Sequence, residues 1–317
     1  MCSLTLYFCC FLNTKEIIMK RTIPTEDIPK INKLILDVLG IDKIANIARM
    51  GGLTNHTYAV TLEDGKKFVV RIPGEGTEEM INRRDEMIST SLAAKLGIDA
   101  EVLYFGEDGA KVTAYIDNAV TMSSNTLKEE ENITRVAQIF RTLHTCGEDT
   151  GVPFEVFDMA ESYEKIIENK NVTLFDDYIH VKAKVFKIKS EIDDSEEIKK
   201  VPCHNDALCE NWVMGDGRMY LIDWEYAGMN DAMWDLADVS IEAGFDAEHD
   251  AKLLEAYLGH TPSVNETKHF LAGKIYVDYL WTLWAKARVP YDGQSMEDWA
   301  SERYARLKGF IRDYNNV

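Results

Sequence analysis

Apolar positions recur at helical spacing over residues 25–40, where Ile28, Ile31, Leu34, Ile35, Val38 and Leu39 fall on one face. Thr25 is a candidate cap and Gly40 a stop, so the pattern predicts a helix. The following "IARMGGLTNHTYAVTLEDGKKFVVRIPG" alternates apolar and polar residues on both sides of Asp64-Gly65, which predicts a hairpin. Gly51-Gly52 marks a bend at the entry to it. Thr77 then caps a predicted helix from Glu78 to Leu96, closed by Gly97. "AEVLYFGEDGAKVTAYID" predicts a second hairpin turning at Asp108-Gly109. Beyond Asp117 the pattern is mostly helical, with one face marked by Leu127, Ile133, Val136, Ala137, Phe140 and Leu143. Residues 159–193 predict one or two further helices with a lysine-rich outer face. Residues 201–226 interrupt with a loop, a tight hairpin at Gly215-Asp216-Gly217 and the strand "MYLID", and helices resume from 232.

The sum is an α+β chain in two lobes, a small antiparallel sheet with one long helix followed by a larger, mainly helical lobe. The division falls at 117/118, giving lobes of 19–117 and 118–317. Residues 1–18 hold the run "CSLTLYFCCFL", too short to span a bilayer and without the flanks of a signal peptide. They read as an atypical leader outside the fold, with no stable membrane insertion.

Charge narrows the partners. With 35 basic and 54 acidic side chains the net charge is −19, which repels phosphate backbones and argues against nucleic acid. A small cationic guest is the better match. The six cysteines, Cys2, Cys9 and Cys10 in the leader and Cys146, Cys203 and Cys209 in the body, lack the regular spacing of a disulfide framework or a zinc site and fit free thiols in a cytoplasmic protein.

The informative chemistry lies in "CHNDALCENW". His204 and Asp206 are followed by Asn211 and then by Asp223 after an apolar strand. Phosphoryl transfer needs a carboxylate to take a hydroxyl proton, and oxygen ligands to hold Mg2+ against phosphates. Asp206 suits the first task. Asn211 and Asp223 suit the second, because magnesium takes few protein ligands, all oxygen.

This H-x-D-x4-N with a later strand-terminal Asp is similar to the catalytic loop and metal-binding Asp of the protein-kinase-like fold. "HNDALCENW" with "LIDWEYAGMNDAMWDLA" resembles the choline/ethanolamine kinase family, relatives of the aminoglycoside phosphotransferases, over about Ile44 to Phe310. The resemblance implies ATP and Mg2+ as cofactors and a small amino alcohol as substrate. It makes Asp206 the base, braced by His204, and Asn211 and Asp223 the metal ligands. It puts Gly51, Gly52, Leu53, Thr54 and Asn55 in a phosphate loop, where glycines permit close backbone approach to an anion. Arg71 stands where protein kinases carry a phosphate-binding lysine, with Glu86 or the adjacent Asp85 as its carboxylate partner. Tyr115 and Ile116 fall at the interlobe hinge, offering backbone groups to adenine. Asp235 matches the Asp that supports the catalytic loop.

The resemblance places Trp281 and Trp284, three apart on a helix, and the later Trp299 near the amino-alcohol head group as rings for a quaternary ammonium, with Glu225 and Glu242 as nearby carboxylates; spacing alone would read Trp281 and Trp284 as helix-bundle core. Choline is thus the expected substrate. Ethanolamine, an aminoglycoside, thiamine or a sugar are alternatives on the same fold, and a catalytically inactive binding module is an alternative of another class. His144, on the apolar side of its helix, reads as a satisfied core histidine.

Overall fold

The computed structural model describes residues 23–50, 55–74, 82–195 and 197–317. The leader, the Gly51–Thr54 part of the phosphate loop and the Thr77 cap lie outside these residues. The chain divides into two compact units. One holds the residues up to Ser124 together with Glu210–Tyr226, and the other holds Asn125–Cys209 and Ala227–Val317. The first unit thus extends past the 117/118 division and recruits a distant segment. Among the described residues, no helix is long and apolar enough to cross a membrane.

The first unit is built on a five-stranded antiparallel sheet. Its strands are β1 (Ile44–Arg49), β2 (Asn55–Leu62), β3 (Lys67–Pro73), β4 (Val102–Phe105) and β5 (Lys111–Ala114), in the order β1-β2-β3-β5-β4. Helix α1 (Asp27–Leu39) supplies Ile31 and Ile35 to the core, both fully buried against Tyr58, Val60, Val70, Ile72 and Val112. Burying each such side chain contributes roughly 1.5–3 kcal/mol before entropy is counted. The strand residues come from every second position, the period that puts side chains on one face of a sheet. Gly40 ends α1 in the left-handed conformation (φ +70°), as its place after the last apolar residue predicts. The N-cap is Glu26, without a side-chain bond, rather than Thr25.

Helix α2 (Arg83–Lys95) starts later than the sequence pattern suggests. Asn82 is its cap, accepting from the amides of Arg84 and Asp85. The recruited segment adds β8 (Trp212–Gly215) and β9 (Arg218–Leu221), which pair with each other, and β8 also pairs with β6 (Val120–Thr121). This pairing draws Val120–Thr121 into the first unit. Leu221 N–H donates to Ile98 O (3.1 Å), joining β9 to the segment after α2.

The second unit is helical: α3 (Glu130–His144), α4 (Val156–Asn169), α5 (Tyr178–Ser195), α6 (Ala232–Glu242), α7 (Ala247–Leu258), α8 (Val264–Asp292) and α9 (Gln294–Tyr314). A short antiparallel pair, β7 (Lys200–Cys203) and β10 (Gly228–Asp231), delivers the chain into the His204 loop and into α6. Helix α8 opens with a capping box between Ser263 and Glu266. Gly273 on α8 allows close approach to α6, since a Cβ there would lie 2.9 Å from Met233 O.

Candidate active site

In the first unit, β3 and β5 run side by side with Arg71 opposite Lys111, and α2 presents Glu86. Arg71 Nε and Nη2 donate to Gly109 O (3.2 and 2.9 Å), while Nη1 donates to Glu86 Oε1 and reaches Glu225 Oε1 at 3.5 Å. Glu86, not Asp85, is therefore the partner. Arg71 thus ties the β4–β5 turn to the carboxylates of Glu86 and Glu225.

A second arginine, which the sequence reading passed over, completes the cluster. Arg83 Nη1 donates to Glu86 Oε2 (2.7 Å) and Glu225 Oε1 (3.2 Å), and Nη2 donates to Asn55 Oδ1 (3.2 Å). Asn55 Nδ2 in turn donates to Glu225 Oε1 (2.5 Å). Its signal was present: Arg83 stands three residues before Glu86, so the two share a helix face. Gly109, at φ +88°, closes the turn beneath both arginines, and a Cβ there would meet Arg83 Cδ and Nε at 2.6 Å.

The electrostatics follow from this packing. Burial alone would push Glu86 up. The hydrogen bond and charge of Arg71, aided by Lys111 and Arg83, outweigh it and hold the carboxyl below its ordinary value. Glu225 goes the other way, raised by burial and by the charges of Asp223 and Glu86 despite Arg71. Lys111 Nζ lies 3.9 Å from Glu86 Oε1, and burial followed by repulsion from Arg71 lowers its pKa. Burial pushes Asp99 up to about 6, against the opposing pull of the Lys111 charge. Glu225, expected among the substrate carboxylates, is placed with Asn55 and the arginines.

Asn211 ends a short 3-10 turn (Cys209–Asn211), and Asp223 follows β9 with a left-handed backbone (φ +70°). Ile222 N–H donates to Asn211 O (2.9 Å), so the residue before Asp223 is held beside Asn211. A neutral amide oxygen and a carboxylate are hard oxygen donors of the kind Mg2+ takes, so this pair fits the ion. Tyr115 and Ile116 follow β5, with Lys67 Nζ 5.1 Å from the Tyr115 ring centre. Gly215 fits closely on Ile116, whose Cγ2 would lie 2.2 Å from a Cβ at that glycine.

In the second unit the His204–Ala207 loop is fixed by carboxylates of α6. Asp235 Oδ2 accepts from His204 N–H and Oδ1 from Asn205 N–H (both 2.8 Å), and Asp238 Oδ2 accepts from Ala207 N–H (2.6 Å). Asp206 N–H donates to His204 Nδ1 (3.3 Å), a bond within the loop. Asn205 adopts φ +66°, the left-handed region that asparagine enters more readily than most residues with a Cβ. Trp234 Nε1 donates to its carbonyl (3.2 Å) and Asn230 Nδ2 to its side-chain oxygen (2.9 Å), which holds it there. The half-buried Asp206 is thereby oriented from both neighbours.

Behind the loop, His144 stacks on Phe140 and donates from Nε2 to Asp235 Oδ2 (3.0 Å), with Tyr257 Oη 2.9 Å from Nδ1. It is a satisfied core histidine, and it also supports the carboxylate that holds the loop. Cys203 lies near this pair, yet burial drives its thiol well above the ordinary value and Sγ donates to Asp231 O (3.6 Å). Cys146, Cys203 and Cys209 are free thiols.

The tryptophans form a connected series. Trp281 and Trp284 meet edge to face at 6.2 Å, and Trp284 and Trp299 at 5.8 Å. Trp281 is buried, whereas Trp284 and Trp299 are half-buried. Glu242, the last residue of α6, pairs with Arg303 of α9.

A model of the choline/ethanolamine kinase family matches residues 47–289. Protein LicA of Haemophilus influenzae is 31% identical over 265 residues, covering 80% of this chain and 76% of that protein. The crystal structure of a choline/ethanolamine kinase family protein from Mesorhizobium loti is similar at a TM-score of 0.79 and 33% identity, over 90% of this chain and 94% of that one. Choline kinase LicA from Streptococcus pneumoniae gives 0.75 at 29% identity, over 92% and 100%. With a protein-kinase-like fold and a match over most of its length, the chain belongs to the choline/ethanolamine kinase family and is an ATP-dependent phosphotransferase acting on the hydroxyl of a small amino alcohol.

Proposed function

We propose that the acceptor is choline and the product phosphocholine. The observation that carries this reading is the edge-to-face series of Trp281, Trp284 and Trp299, two of them half-buried. A trimethylammonium group has no N–H to donate. It is held by ring faces, each worth up to about 2 kcal/mol when water is excluded. The similarity to LicA proteins supports the same choice.

In this reading Asp206 is the general base. Its carboxylate accepts the choline hydroxyl proton as the oxygen attacks the γ-phosphorus of ATP, and the bond to the β,γ-bridging oxygen breaks. His204, Asn205 and Asp235 keep that carboxylate in position. Asn211 and Asp223 would hold Mg2+, which would supply positive charge to offset the charge developing on the phosphates. Asn55 lines the phosphates. Glu225 and Arg83 fix Asn55, and Arg71 and Glu86 order the cluster. Tyr115 and Ile116 offer backbone groups to adenine.

Trp284→Ala tests the substrate assignment. The KM for choline should rise about tenfold or more while that for ATP stays within about twofold. An equal rise in both constants would mean that Trp284 only packs α8.

A further inference from the structure

The charge arrangement beside the tryptophans bears on which ammonium ion is preferred, and the inference rests on the choline reading above. Arg303, 3% exposed, lies over Trp299 with its guanidinium carbon 4.2 Å from the ring centre. Nη1 donates to Asp278 Oδ1 (3.0 Å) and Nη2 to Glu242 Oε1. Arg306 also grips Asp278, from Nε to Oδ2 and from Nη2 to Oδ1 (both 2.7 Å). Asp278 is thus shared by two guanidinium groups, whereas the one ion pair found for Glu242 among the described residues is with Arg303. The arrangement is encoded by helical spacing: Trp299 and Arg303 are four apart on α9, and Asp278 precedes Trp281 by three on α8.

We infer that Arg303 is a specificity-determining residue: by occupying Glu242 it withholds from the amino-alcohol site the carboxylate that a primary ammonium would need, and so favours a quaternary one. A primary ammonium carries three N–H donors that must find acceptors when it leaves water, and a carboxylate is the strongest available. A trimethylammonium has none to satisfy and loses little when a carboxylate is already paired. Arg303 also fixes Trp299 by stacking on one face of its ring. Neighbouring acids fit the same scheme. Burial, with the charges of Glu242 and Asp206, pushes Asp238 well above its ordinary value, which lessens the charge it offers.

The test compares kcat/KM for choline and ethanolamine in the full-length protein and in Arg303→Met, Arg303→Lys and Arg303→Met/Glu242→Gln. Arg303→Met should raise the ethanolamine-to-choline ratio about tenfold, the effect of one charge-assisted hydrogen bond gained. Adding Glu242→Gln should reverse most of that rise. Arg303→Lys keeps a charge but cannot bridge both acids, so it should shift the ratio the same way by about threefold. It serves as the deciding variant if Arg303→Met does not fold. A ratio that stays at the wild-type value in the folded variants, with both substrates weakened alike, would overturn the inference and leave Arg303 a packing residue. A wild-type protein that phosphorylates neither amino alcohol would overturn the choline reading and this inference with it.

Discussion

Asp235→Asn is the sharpest test of how the catalytic loop is held. The carboxylate is fully buried and accepts from three donors: Asn205 N–H on Oδ1, and His204 N–H and His144 Nε2–H on Oδ2. An amide has the same shape but one acceptor oxygen. If that oxygen faces His204 and His144, the new NH2 group meets Asn205 N–H donor to donor at 2.8 Å. If it faces Asn205, two donors are orphaned instead. At about 1–3 kcal/mol per unsatisfied buried group, the cheaper arrangement still costs about 2–4 kcal/mol, because a bond to a charged acceptor is also lost. Asn205 would be freed from its left-handed conformation, and Asp206 beside it would move. A displacement of about 1 Å at a reacting group costs on the order of 100-fold in rate. Urea unfolding should show the stability loss. Steady-state kinetics should show kcat down about 100-fold with the KM for ATP within about threefold. An Asp235→Asn enzyme of full stability and normal kcat would refute the claim that this carboxylate positions the base.

Asp206→Ala should remove turnover while leaving nucleotide affinity, read by calorimetry, within a few-fold; measurable turnover would end its assignment as base. Arg83→Met leaves Glu225 and Asn55 without a shared partner, so stability in urea should fall by ~2–3 kcal/mol and the KM for ATP should rise; wild-type values for both would remove Arg83 from the nucleotide side. Asp99 has a folded pKa of about 6, above the unfolded value near 3.8, so the folded state holds its proton more tightly. Its contribution is full below about pH 4 and lost as pH rises through about 6, a loss of ~2–3 kcal/mol. Asp99→Asn should abolish that decline in urea midpoints, and curves parallel to wild type would contradict the assignment.

Much of this was legible in the sequence because the signals were local. The α1 stripe and the turns at Gly65 and Gly109 depend on neighbours within a few residues, and His204, Asp206, Asn211 and Asp223 fall in one short continuous stretch. What was not legible depended on long-range pairing. The recruitment of Glu210–Tyr226 into the first unit rests on β6 meeting β8, about ninety residues apart in sequence. No local pattern shows that Glu225 meets Asn55 and Arg83, which come from distant parts of the chain. Arg303 carries no motif, and its meaning appears only when α6, α8 and α9 bring Glu242, Asp278 and Trp299 to it.

The most direct measurement is ADP release from MgATP with choline, ethanolamine, thiamine and kanamycin offered side by side to the wild-type protein. The account predicts strong choline dependence, weaker turnover of ethanolamine, and none above background with thiamine or kanamycin. Preference for ethanolamine, or turnover only with kanamycin or thiamine, would contradict the tryptophan-based assignment of the substrate.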